Sequence, residues 1–156
     1  MPSAFTGKCA CGQVKYESSE PPIVQLICHC RDCQRASGGS GAALAIDRLN
    51  FTAAQPKYYS VTARSGRTMR RGFCQDCGSP ISIRRPETPM VEFIHAASLD
   101  NPSSFAPSCE VWVSSAETWH QMHPVAQKFE TDPSPEAVRD QIRTYFAARS
   151  SATSSD

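Results

Sequence analysis

No apolar run in this 156-residue chain is long enough for a membrane-spanning helix, although 40% of its residues are hydrophobic. Charge of one sign is also missing. Sixteen Lys and Arg stand against fifteen Asp and Glu, a net charge of +1. Such a balance gives no general electrostatic pull toward nucleic acid or an anionic membrane, so neither is expected as a partner. Repeats and low-complexity blocks are absent between residues 4 and 148. The opening Met1-Pro2-Ser3-Ala4-Phe5-Thr6-Gly7 has neither the charged start nor the apolar stretch of an export signal. The expected setting is therefore cytoplasmic and reducing, where disulfides rarely persist. The length fits one domain with its own core.

What the chain has is cysteine, eight residues in all. Seven fall in three short clusters: Cys9-Ala10-Cys11, Cys28-His29-Cys30-Arg31-Asp32-Cys33 and Cys74-Gln75-Asp76-Cys77. The eighth, Cys109, stands alone. In a reducing compartment, metal binding is the better reading of such spacing. A CxxC pair turns two thiolates onto one ion, and Gly78 after Cys77 suits that turn because glycine tolerates positive φ. Cys11 is followed by Gly12 in the corresponding place. Cys9/Cys11 and Cys74/Cys77 together would complete a closed tetrahedral site that ties the N-terminal segment to the middle of the chain. Spacing does not exclude other pairings.

Cys28, Cys30 and Cys33 then form a compact set of three. Three thiolates on Zn²⁺ make a weak Lewis acid but leave a fourth, incoming thiolate electron-rich. An open centre of this kind suits thiol activation better than water activation. The alternative is a second closed site, with His29, Cys109 or another histidine as the fourth ligand. A dithiol redox switch is disfavoured, since no βαβ pattern surrounds either CxxC.

Short strands are expected at Gln13–Glu17, Ile23–Cys28, Ala42–Ile46, Lys57–Val61, Met69–Phe73, Ile81–Arg84, Met90–Ala96 and Glu110–Val113. Turn residues at Gln55-Pro56, Ser65-Gly66, Gly78-Ser79-Pro80 and Asn101-Pro102 separate several of them. Arg31–Ser37 reads as a short helix stopped by Gly38-Gly39. A longer helix starts after Ser134, a plausible N-cap, with Pro135 at its first position. Its apolar stripe, Val138, Ile142, Tyr145 and Phe146, is expected to pack on the core. Residues 150–156 are small and polar and are expected to be a disordered tail. The fold class is mainly β, with short strands around metal knots and a C-terminal helix.

Three stretches resemble known motifs. Gly7-Lys8-Cys9-Ala10-Cys11-Gly12-Gln13-Val14-Lys15-Tyr16 resembles the opening motif of the glutathione-dependent formaldehyde-activating enzyme family, whose domain also occurs in a centromere protein. Cys28 to Gly38 and Phe73 to Pro80 resemble its second and third motifs. Ala97-Ser98-Leu99-Asp100, Val111-Trp112-Val113 and Trp119 resemble weaker landmarks, and the resemblance covers about residues 5–125. It implies a Mss4-like fold of several small coiled β-sheets, in a single domain over residues 1–149. It implies two zinc ions per chain: a structural one on Cys9, Cys11, Cys74 and Cys77, and a catalytic one on Cys28, Cys30 and Cys33. The implied activity is that of a carbon–sulfur lyase joining glutathione to formaldehyde to give S-hydroxymethylglutathione. Where many relatives carry a histidine before the aromatic strand, this chain has Glu110, preceded by Cys109.

A thiol such as glutathione brings carboxylates, which arginine forks hold well. Arg35, two residues past Cys33, is the first candidate substrate contact. Arg31, Arg64, Arg67, Arg70 and Arg71 follow it. Larger aldehydes, imines, epoxides and aziridines are alternative electrophiles at the same centre. A non-catalytic zinc module that binds protein or nucleic acid is the rival from another class, although Arg64–Arg71 is the only basic patch. Self-association stays open. Cys109 reads as a buried free thiol, His95 as a core or edge histidine, and His120 and His123 as surface residues.

Overall fold

The computed structural model describes residues 4–152. The chain runs β1 (Phe5–Lys8), β2 (Lys15–Ser18), β3 (Val24–Cys28), α1 (Arg31–Ser37), β4 (Gly41–Ile46), β5 (Asn50–Phe51), β6 (Lys57–Thr62), β7 (Thr68–Phe73), β8 (Pro80–Arg84), β9 (Glu92–His95), β10 (Cys109–Val111), β11 (Gln127–Lys128) and α2 (Pro135–Ala152). Short 3-10 turns occupy Ala96–Ser98, Pro102–Ser104 and Val113–Ser115. The mainly β class with a C-terminal helix is as expected.

Two sheets carry the fold. The smaller has the order β1-β2-β5 and is antiparallel. The larger has eight strands in the order β11-β10-β3-β4-β9-β8-β7-β6. It is antiparallel except around β10, which runs parallel to both β3 and β11. The core cluster draws on both sheets. Val14 and Tyr16 come from the β2 side, Leu44 and Ile46 from β4, Ile81 from β8 and Ile94 from β9, with Cys9 and Cys74 at its margin. Leu44 and Ile46 share a face because side chains repeat every second residue along a strand.

Tyr16 sits in this core, 1% exposed, its hydroxyl 2.6 Å from Ser98 Oγ. Gly7 lies opposite it in the β1–β2 register and also bridges to Leu99. A Cβ at Gly7 would fall 2.1 Å from Tyr16 Oη, so this strand position has room only for glycine.

The sequence pattern placed most strand ends within two or three residues. It missed β1, β5 and β11, which are short and set by distant partners. The strand expected at Glu110–Val113 is Cys109–Val111 instead. Trp112 takes a left-handed conformation (φ 59°) that turns the chain out of the sheet. The α2 stripe needs correction. Tyr145 is buried, but Val138, Ile142 and Phe146 are 40%, 37% and 46% exposed. The helix holds itself by other means. Ser134 Oγ accepts from the Ala137 N–H at 3.2 Å, and the pairs Glu136–Arg139 and Asp140–Arg143 span one turn each. The helix continues to Ala152, into the stretch expected as a tail; residues 153–156 lie outside the described residues.

Candidate metal centres and the adjoining cavity

The outer cysteine pairs meet. Cys9, Cys11, Cys74 and Cys77 have their sulfurs within 4.8 Å of one another. Two matching turns bring them there. Gly12 N–H donates to Cys9 O (3.1 Å) and Gly78 N–H to Cys74 O (2.8 Å), with both glycines at positive φ, 79° and 74°. Ser79 joins the turns: its hydroxyl accepts from the Ala10 N–H and contacts Cys77 Sγ, each at 3.1 Å.

The donor set fits zinc. A tetrahedron with metal–sulfur bonds of ~2.3 Å has sulfur–sulfur edges of about 3.8 Å. Cys9–Cys11 and Cys11–Cys74 stand at 3.5 and 3.7 Å. A disulfide would need ~2.05 Å, and all eight cysteines are free.

The central trio is a separate set. Cys28 ends β3, Cys30 caps α1 and accepts the Cys33 N–H at 3.3 Å, and Cys33 lies in the first turn of α1. Their sulfurs also lie within 4.8 Å of one another. Gly41, paired with Cys28 across β3–β4, makes room for Cys33. A Cβ there would stand 3.2 Å from Cys33 Cβ. The S–H groups of Cys28 and Cys33 hold the Cys30 thiol down at about 2. Contact with Cys30, contact with Cys33 and burial drive Cys28 the other way. One negative charge therefore settles on the trio readily, and further ones are opposed by repulsion. A divalent cation removes that opposition, which is the electrostatic reason such a set fits a metal.

Among the described residues, no fourth Cys, His, Asp or Glu joins the trio. Cys109 is buried on β10 opposite Leu26, two residues from the level of Cys28, and belongs to neither cluster. His29 turns away from the sulfurs. Its Nε2 lies 3.1 Å from Glu110 Oε1, and its ring stacks edge-on against His120 at 4.6 Å. His29, Glu110 and His120 form a third compact set of ligand-type atoms. Lys128 Nζ already stands 3.0 Å from Glu110 Oε2, and the His123 N–H donates to the same oxygen. Burial raises the Glu110 carboxyl, but Lys128, His29 and His123 outweigh it and hold it below its ordinary value. With its charge matched, this set braces the strand that leads into the trio. Sequence reasoning noted Glu110 only as a departure, and missed its partners.

The segment after β10 is anchored to α1. The Gln34 amide donates to His29 O (2.7 Å) and Ser115 O (2.9 Å), and Arg31 pairs with Glu117 at 3.4 Å. Trp112 Nε1 donates to Asp132 at 2.9 Å, while Trp119 is 71% exposed beside His120.

A cavity of about 280 Å³ lies on the Arg71 side of the trio, with none of the three cysteines in its lining. Its lining includes Ala36 of α1, Tyr59 of β6, Arg71 and Phe73 of β7, Gly78 of the second turn and His95 of β9. Arg71 is 5% exposed, and its Nη2 lies 4.0 Å from Cys33 Sγ. Burial and the Arg71 charge push His95 down to about 4, so its ring is neutral at pH 7. Arg35 is exposed on α1 and does not line this cavity.

The site defines a small β domain with one four-sulfur and one three-sulfur cluster. The profile of the glutathione-dependent formaldehyde-activating enzyme family matches residues 4–115, and the chain belongs to that family. No curated protein matches it. A structural-genomics crystal structure of a Rhodobacter sphaeroides protein is 22% identical, over 62% of this chain and 88% of the other, with a TM-score of 0.47. No helix among the described residues is long and apolar enough to cross a membrane.

Proposed function

We propose that the chain is a zinc-dependent enzyme of the carbon–sulfur lyase type that adds a thiol, glutathione in the first instance, to a small electrophile such as formaldehyde. The unequal sulfur count carries this reading. Four sulfurs at tetrahedral separations close one site. Three, with no fourth ligand group among the described residues in reach, would leave the other open to substrate. Family membership supports it.

Cys9, Cys11, Cys74 and Cys77 would hold the structural ion, and Cys28, Cys30 and Cys33 the catalytic one. That second ion would keep an incoming thiol deprotonated at neutral pH while leaving its sulfur nucleophilic. The chain does the rest. The Cys33 N–H fixes the Cys30 sulfur, Gly41 leaves space for Cys33, and Arg71 offsets the negative charge of the sulfurs. In the addition, a C–S bond forms, the carbonyl π pair moves to oxygen, and that oxygen takes up the proton the thiol lost. Proximity is the main rate term. The same centre would also serve an imine, epoxide or aziridine.

The test compares two variants. Cys30→Ser keeps a folded protein with one zinc and loses turnover with every thiol. Cys74→Ser loses the fold. A Cys30→Ser protein that retains full turnover would refute the catalytic role of the trio. Its collapse like Cys74→Ser would make the trio structural. A screen with and without glutathione across formaldehyde, larger aldehydes, imines and epoxides assigns the electrophile.

A further inference from the structure

We propose that the cavity beside the trio is a carboxylate-binding subsite, with Arg71 as its anion-holding group, and that it selects acidic thiols over neutral ones. This rests on the preceding assignment of the trio as the thiol-activating centre, and adds to it the substrate class and the residue that reads it.

The first observation is an unmet hydrogen bond. Arg71 is 5% exposed, and its Nη1 has no hydrogen-bond partner among the described residues. A buried guanidinium donor without an acceptor loses its hydration and gains nothing in return, so native proteins rarely keep one without use. The second observation is the place. Arg71 lines the cavity, and its other terminal nitrogen, Nη2, reaches toward Cys33 Sγ. One guanidinium thus reaches the sulfur cluster with Nη2, while Nη1 is buried without an acceptor, so a carboxylate entering the cavity meets it through a small turn of the side chain. A carboxylate on Nη1 would lie less than roughly 10 Å from Cys33 Sγ, since a charge-assisted hydrogen bond adds only ~2.8 Å. Thiol and carboxylate must then belong to one compact molecule.

The surroundings agree with a small acidic arm. His95, neutral at pH 7, offers a second hydrogen bond without adding charge. Tyr59 and Phe73 pack 5.9 Å apart and give the cavity an aromatic wall. A volume of about 280 Å³ lies below the ~300–1,000 Å³ of sites that enclose a whole drug-sized ligand. It holds one end of a substrate and leaves the remainder at the surface. Among the described residues, no Asp or Glu lines the cavity to compete for the guanidinium.

The test uses S-methylglutathione, whose thioether is a poor metal ligand, so its binding reports the acidic ends and not the thiol. Calorimetry on the zinc-loaded full chain should show that wild type binds it, and that its dimethyl ester binds at least tenfold more weakly. Arg71→Met should weaken the acid at least tenfold and abolish discrimination against the ester. Arg71→Lys should fall between, having charge but no fork. Arg71→Met that binds the acid within twofold of wild type overturns the subsite. So does a wild type that binds acid and ester alike, a comparison that needs no variant to fold. So does a wild type that binds neither S-methylglutathione nor acetate at millimolar concentration. The two proposals fail separately. Acid-selective, Arg71-dependent binding without turnover on any thiol leaves the subsite standing and removes the thiol-addition reading. Turnover without acid selectivity does the reverse.

Discussion

Replacing Glu110 by Gln tests the brace behind the trio. Glu110 is fully buried, and its two oxygens serve three donors: His29 Nε2 at 3.1 Å, Lys128 Nζ at 3.0 Å and the His123 N–H at 3.2 Å. Gln has almost the same shape but no charge, and only one of its ends accepts. If its oxygen stays with His29, its NH₂ faces an ammonium and an N–H. Each broken bond to a charged group is worth about 1.5–3 kcal/mol. Breaking a buried pair from one side typically costs about 3–5 kcal/mol. Lys128 is 34% exposed and can rehydrate, which discounts the upper end. The expected loss is roughly 2–4 kcal/mol. At this chain length, that lowers the melting temperature of the zinc-loaded protein by roughly 5–15 °C. Scanning calorimetry or urea unfolding measures it. Glu110→Gln with Lys128→Met should be less destabilised than the sum of the two single variants, because both changes remove the same ion pair, although Lys128 keeps the His123 and Ala126 carbonyls when Glu110 alone is changed. A single variant within 0.5 kcal/mol of wild type, or strictly additive effects, would refute the reasoning.

Two further outcomes follow from the packing. Gly7→Ala drives a Cβ to 2.1 Å from Tyr16 Oη and 2.6 Å from the Ser98 carbonyl oxygen; a loss of roughly 3–5 kcal/mol is expected from overpacking and the broken Tyr16–Ser98 bond, and an unchanged urea midpoint would count against it. His95 is pushed down from 6.5 to about 4 by burial and Arg71, so the unfolded chain takes up its proton first as pH falls. Stability from this group is complete above pH 6.5 and is lost down to about 4, by roughly 3 kcal/mol. The urea stability of wild type relative to His95→Gln should shrink by that amount between pH 7 and 4, and a pH-independent difference contradicts the assignment.

The cysteine clusters were legible because their chemistry is local. A CxC or CxxC turn closed by a positive-φ glycine needs only five or six residues of context, and Gly12 and Gly78 take the predicted conformation. The same holds for α1, whose stop at Gly38 comes with the N–H donated to Gln34 O at 2.9 Å. What the sequence hid depends on register. Arg64, Arg67, Arg70 and Arg71 are alike as letters. Pairing of β7 with β6 and β8 turns Arg71 toward Cys33, while Arg70 lies over the Tyr58 ring at 5.2 Å. Strand alternation separates neighbours completely, so a one-residue choice decides between a buried anion holder and a stacked surface group. Glu110 was equally opaque. Its value comes from Lys128 and His29, on β11 and beyond β3, which flank β10 only in the parallel pairing.

The two clusters also share a mechanical link. β7 carries Arg71 and runs through a register shift at Gly72/Phe73 directly into Cys74. Gly78 of that turn and Ala36 of α1 line the same cavity. A metal in the four-sulfur site would fix the end of β7 and hence the height at which Arg71 meets Cys33. The outer cysteines would then do more than stabilise the chain. They would set the separation between the thiol-activating sulfurs and the carboxylate anchor, and an error of about 1 Å there is enough to cost ~10²-fold in rate.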